Sequence, residues 1–133
     1  MKKYTHLSGK RKMAIARATA KSGKGIVRIN HLLIGAYEPE LAREKIMEPI
    51  IIAGKLAENV DINVNVYGGG WHGRAEAARL AIARALVKYS GNENLKRQFL
   101  DYDRHLLIAD VRRAESSKPN DSKPRKARQK SYR

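Results

Sequence analysis

Residues 66–79, VYGGGWHGRAEAAR, decide how this chain folds. Gly68, Gly70 and Gly73 spell G-x-G-x-x-G between a strand-like run and a helix-like run, the setting of a dinucleotide fingerprint. In such a loop, glycines admit a phosphate against backbone amides at a helix N-terminus. Three readings are open: a nucleotide phosphate, an RNA phosphate held by the amides and Arg74, or glycines that merely let helix and sheet approach. If Gly70 takes a positive φ, any Cβ there costs about 1 kcal/mol or more.

Before the loop, Val60, Ile62, Val64 and Val66 alternate with Asp61, Asn63, Asn65 and Tyr67, which predicts a strand with one buried face. After it, residues 73–89 read as one alanine-rich helix, with Ala78, Ile82, Ala85, Leu86 and Tyr89 on the packed side. Ser90-Gly91-Asn92 stops it, and residues 94–102 predict a further short helix. A dinucleotide domain needs a second strand carrying an acid about 20 residues on. The following NENLKRQFLDYDRH has no such strand: Glu93 falls on a turn, Asp101 and Asp103 on a helix.

Upstream, residues 12–20 alternate and residues 25–34 are β-rich. KSGK between them predicts a hairpin turn with basic residues at its tip. Glu38-Pro39-Glu40 suits a helix start, and residues 41–47 and 50–56 form one helix kinked at Pro49 or two short ones. The expectation is a small α/β body.

Charge is distributed unevenly. Residues 1–37 carry +9, residues 38–110 carry −1 and residues 111–133 carry +7. A near-neutral middle with strongly basic ends predicts a folded body with extensions that bind a polyanion, nucleic acid first. The last segment, KPRKARQKSYR, spaces six cations every one to three residues, as suits an extended chain tracking phosphates. Pro119 and Pro124 keep it extended, and Tyr132 offers a stacking surface.

Chemistry of other kinds finds little support. The chain has no cysteine, so thiolate metal sites and disulfides are excluded. His6, His31, His72 and His105 are scattered without metal-ligand spacing, and Asp101 and Asp103 diverge if helical. Trp71 either stacks on a base or packs beside the loop. No run approaches a membrane span, and the basic N-terminus has no apolar core behind it, so a cytoplasmic protein is expected. No enzyme, cofactor, metal, membrane contact or small-molecule substrate is expected.

SGKRKMAIARA, GIVRIN, the GGG-x-x-G loop with AEAAR and IARAL behind it, and the terminal QKSYR together carry a resemblance over nearly the whole chain. The sequence resembles the universal small-subunit ribosomal protein S-nine family; the QKSYR ending and the lack of longer extensions favour the archaeal type. The resemblance implies an α/β (α+β) fold like the second domain of ribosomal protein S-five. That fold is a small sheet with packed helices and a left-handed βαβ crossover, against the usual hand. A globular rRNA-binding domain over residues 1–111 and an extended basic tail over residues 112–133 are expected. The implied partners are small-subunit rRNA, P-site tRNA and neighbouring proteins of the subunit head. On this reading Lys10, Arg11, Lys12, Arg17, Lys21, Lys24, Gly68, Gly69, Gly70, Arg74, Lys123, Arg125, Lys126 and Arg128 bind rRNA. Lys130, Ser131, Tyr132 and Arg133 contact the tRNA anticodon stem-loop. Arg74 stands where the family usually has glutamine, and an arginine is compatible with phosphate. The glycines then serve rRNA and close packing rather than a nucleotide.

Overall fold

The computed structural model describes residues 4–133; Lys2 and Lys3, counted in the basic N-terminal stretch, lie outside the described residues. Five strands are formed: β1 (Tyr4–Arg11), β2 (Ala14–Ser22), β3 (Val27–Ile29), β4 (Leu32–Leu33) and β5 (Val60–Tyr67). They join one sheet in the order β1-β2-β5-β3-β4. Among the described residues four α-helices accompany them, α1 (Glu40–Ala53), α2 (Lys55–Glu58), α3 (Trp71–Ser90) and α4 (Glu93–Tyr102), with short 3-10 helices at Ile34–Ala36 and Arg104–Leu106. The mixed α/β class expected from sequence is the one observed.

The central strand is β5, whose Val60, Ile62, Val64 and Val66 are all buried. It pairs antiparallel with β2 and parallel with β3, and α1 and α2 make the crossover that a parallel pair requires. The strand with four buried branched aliphatic residues thereby takes the middle position of the five.

That placement corrects the expected hairpin. β2 does not pair with β3, because β5 lies between them. The KSGK turn is clasped to the start of β5 instead: Gly23 N donates to Asn59 O at 3.0 Å, and the Asp61 carboxylate accepts from the amides of Lys24 (2.8 Å) and Ile26 (3.0 Å). Those amides, Ile26 first, hold the Asp61 carboxyl below the ordinary carboxylate range. β2 forms its hairpin with β1 instead, through Lys12 and Met13, with Lys12 at φ 53°. The basic N-terminal stretch from residue 4 on is therefore sheet, not an extension.

The predicted run 25–34 is likewise divided. Asn30 and His31 both take positive φ and turn the chain between β3 and β4, as a two-residue hairpin loop demands. Asn30 then spans to β5, donating to Val66 O at 3.0 Å and accepting from Val66 N at 2.8 Å.

Pro49 sits inside α1 without ending it; the break falls at Gly54, before α2. Of the two readings left open there, one helix through Pro49 holds, followed by a separate turn.

The core lies between the sheet and α3. On β2 the alanines at 14, 16, 18 and 20 face inward, and on α3 Ala77, Ala78, Ala81 and Ala85 are buried against the sheet and α1. Small residues on both surfaces let the helix settle close to the strands. At Gly9 of β1 the approach is closest: a Cβ there would fall on the Ala77 carbonyl and 2.8 Å from the Ala81 nitrogen. No helix among the described residues is long and apolar enough to cross a membrane. After Leu106 the chain forms no further helix or strand.

Candidate nucleic-acid interface

At the end of β5 the chain must turn sharply to start α3. Gly68 and Gly69 do this with φ of 78° and 63°, a region that side chains with a Cβ rarely enter. A Cβ at Gly68 would also meet the Met13 carbonyl at 2.5 Å. Gly70, by contrast, is the extended N-cap of α3 at φ −90°, and a Cβ there meets nothing within 4 Å. The expected backbone strain at Gly70 is thus absent, and it belongs to the two glycines before it. Gly73 lies within α3, which begins two residues earlier than sequence periodicity indicated.

The glycine turn leaves the first amides of a 20-residue helix facing outward, with no side-chain cap and no acid in the first turn. Beside it lies a cavity of about 320 Å³ lined by Arg11, Lys12, Met13, Gly69, Gly70, His72, Gly73 and Glu76. Lys10 is exposed on β1 nearby, paired in register with Ile15, which faces Tyr67. A helix N-terminus and cations are features that suit an anion, though Arg11 of this lining is already paired with Glu76. Trp71 is half exposed at the first helical position, its ring edge-on to His72 at 5.5 Å.

Arg74 donates from Nε to the Gly68 carbonyl at 3.0 Å, so it braces the loop. A glutamine amide carries an equivalent donor. Arg74→Gln should therefore change stability by no more than about 0.5 kcal/mol, whereas Arg74→Ala should cost about 1 kcal/mol through the lost bond. Urea unfolding of the two variants checks this: no loss in either would mean that the bond contributes nothing, and equal losses that glutamine does not replace it.

The other expected contacts are dispersed. Arg11 is drawn inward, with Nε 2.5 Å from Glu76 Oε2 and an Nη 2.8 Å from Asp110 Oδ2. Burial pushes the Glu76 carboxyl up, but Lys45 and Arg11 outweigh this and hold it below the usual range. Arg17 is exposed in mid-strand, 5.6 Å from the centroid of the Tyr67 ring. Lys21 lies at the far end of β2, six residues from Ile15 or about 20 Å at strand rise, and Lys24 lies in the turn just beyond it. Lys10, Lys12, Arg74 and the glycines share one end of the sheet; Lys21 and Lys24 occupy the other.

In the tail, Lys123, Arg125, Lys126, Arg128, Lys130, Ser131, Tyr132 and Arg133 are all exposed, Tyr132 at 87%. The tail is not uniformly extended: residues 119–125 turn, and Arg125 and Arg128 pair with Glu115 (2.9 Å) and Asp121 (3.0 Å). Its root is fastened. Asp110 bonds Arg112 at 2.7 Å as well as Arg11, and the Arg112 side chain above all holds the Asp110 carboxyl far below its ordinary value.

Sequence reasoning missed Arg84, which donates to the carbonyls of Leu107 and Ser8 at 3.0 Å each and so fixes the segment after α4 to β1. Arg28, His31, Asn63 and Asn65, which line one cavity on the open face of the sheet, were also not singled out. Their signal was present in the alternation of residues 60–67, whose polar half was read only as solvent-facing. Among the described residues no group of three His, Asp or Glu is placed to hold a metal.

Comparison with known proteins agrees with this architecture. Residues 9–133 match the family described as Ribosomal protein S9/S16. Small ribosomal subunit protein uS9 from two strains of Methanococcus maripaludis is 47% identical, over 98% of this chain and 99% of the relative in each case. With a match over nearly its whole length, the chain belongs to the ribosomal protein S9/S16 family.

Proposed function

We propose that this chain holds rRNA in the head of the small ribosomal subunit and extends its C-terminal residues to the anticodon stem-loop of P-site tRNA. Family membership makes it a ribosomal protein of the archaeal type, a structural component of a cytoplasmic ribonucleoprotein and not an enzyme. In the proposed arrangement Lys10, Lys12, Arg74 and the amides after Gly68–Gly70 take rRNA phosphates at one end of the sheet. Arg17, Lys21 and Lys24 take them along its length, and Lys123, Arg125, Lys126 and Arg128 along the tail. Arg11 supports this surface from within through its ion pairs with Glu76 and Asp110. Neighbouring proteins of the subunit head complete the set of partners.

The observation that carries the tRNA role is the tail itself: a fully exposed basic end on a root fastened by Arg11, Asp110 and Arg112. Arg133 offers five donors in a fixed fork that matches phosphate oxygens. Its terminal carboxylate must be kept from the phosphates by geometry.

Deleting residues 130–133 should leave the body folded and incorporated into small subunits, since none of the core lies there. P-site tRNA affinity should fall by about tenfold, the loss of one or two charge-assisted bonds. Filter binding of tRNA to subunits carrying either form, at one fixed salt concentration, decides it. Equal affinities would leave the tail as an rRNA anchor only.

A further inference from the structure

The helices cover one face of the sheet; the other face is open. On it stand Lys10, Arg17, Lys21 and Arg28, from β1, β2 and β3, each on a separate rung of the sheet. The carboxylate among these strand positions, Asp61, is occupied by the amides of Lys24 and Ile26. Asp61 keeps its charge and faces Lys21 and Arg28, so the strands set four cations against one carboxylate and the face is cationic on balance.

Its centre is unusual for a strand. Asn63 and Asn65 occupy alternate positions of β5, both exposed, and neither side chain makes a hydrogen bond among the described residues. Asparagine is a poor strand former, and a threonine or valine would suit either position better. A local preference broken twice with no internal compensation is the mark of a functional surface.

Two shallow cavities run along this face and meet at Asn65. One, of about 450 Å³, is lined by Arg28, His31, Asn63 and Asn65. The other, of about 370 Å³, is lined by His6, Ser8, Arg17, Thr19 and Asn65. At the edge of this track lies the Tyr67 ring, 46% exposed and approached by Arg17.

We infer that the open face is a site for unpaired RNA, with Asn63 and Asn65 hydrogen-bonding base edges. This rests on the rRNA-binding reading above and names the kind of RNA that this face takes. Each asparagine presents a donor and an acceptor side by side, the pairing that suits adenine best. Alternate strand residues lie about 7 Å apart, which gives each amide a base of its own. Arg17 and Tyr67 supply a planar surface for stacking, and Lys21 and Arg28 hold the phosphates. An RNA duplex keeps the adenine edge that an amide reads in a deep, narrow major groove, beyond the reach of these short side chains.

The test compares the full chain with the double variant Asn63→Ala/Asn65→Ala. Binding is followed by fluorescence anisotropy on an unstructured adenine-rich RNA and on a duplex RNA of equal length, at one salt concentration. The variant should keep its Tm, since no internal bond is lost. It should bind the single strand at least about tenfold more weakly and the duplex as well as before. Unchanged single-strand affinity, or an equal loss on both probes, overturns the inference and leaves the rRNA reading standing. Failure of the unaltered protein to bind either RNA would overturn the rRNA reading as well.

Discussion

Gly9→Ala should destabilise the protein by about 2 kcal/mol or more, although strand propensity alone predicts a gain of about 0.5–1 kcal/mol. The sign is set by the neighbour. The added carbon meets backbone of α3, at the Ala77 carbonyl and the Ala81 nitrogen, and backbone within a helix cannot rotate out of the way as a side chain can. Either α3 lifts from β1 and β2, opening gaps among the inward alanines, or β1 loses its pairing with β2. For a body of this size the Tm should fall by roughly 10 °C. Thermal unfolding measures it directly. A Tm at or above that of the unaltered protein would mean that α3 does not press on this strand.

Arg79→Met should cost about 2 kcal/mol, and the cost should shrink in acid. Arg79 is 8% exposed on α3 and joins Glu48 of α1 to Asp103 at the end of α4, 2.9 Å from the latter. Methionine keeps the apolar stem and removes the charge, leaving two carboxylates together in a poorly hydrated place. Breaking a fully buried pair costs about 3–5 kcal/mol; both acids retain some contact with water, which lowers the figure. Burial pushes the Asp103 carboxyl up, but the His105 amide and Arg79 outweigh it, so its pKa lies below the ordinary value. A depressed carboxyl stabilises the fold above its unfolded pKa, near 3.9, and that contribution disappears as pH falls through the folded value. The gap between the two proteins should therefore be widest near neutrality and narrow below about pH 4. Urea midpoints at pH 7 and pH 3 provide the check; a gap independent of pH would mean that Arg79 acts through packing alone.

The central strand, the long helix and the glycine turn were legible because their signals are local. Alternation over residues 60–67 and an unbroken alanine-rich run need no knowledge of the rest of the chain. Strand β1 was invisible for the opposite reason. Its inward positions are Thr5, Leu7, Gly9 and Arg11, a set without apolar alternation that makes sense only beside an alanine-faced helix and a buried ion-pair cluster. The false β2–β3 hairpin arose in the same way, since only the nonlocal arrival of β5 separates two strands adjacent in sequence. At the interface, counting cations located the basic regions but not their direction. Arg11 counts as a cation in the sequence and is an internal brace in the fold, while Asn63 and Asn65 carry no charge and went unread.

The clasp of Arg112 and Arg11 on Asp110 makes the tail a leash of fixed origin. Residues 113–133 behind that knot would, as a free coil, spread their tip over roughly 25 Å and reach at most about 70 Å when drawn straight. A ligand within that sphere meets the tip at an effective concentration on the order of millimolar, however dilute the protein is. A terminal grip far too weak to hold in free solution is then sufficient, provided that the knot stays tied.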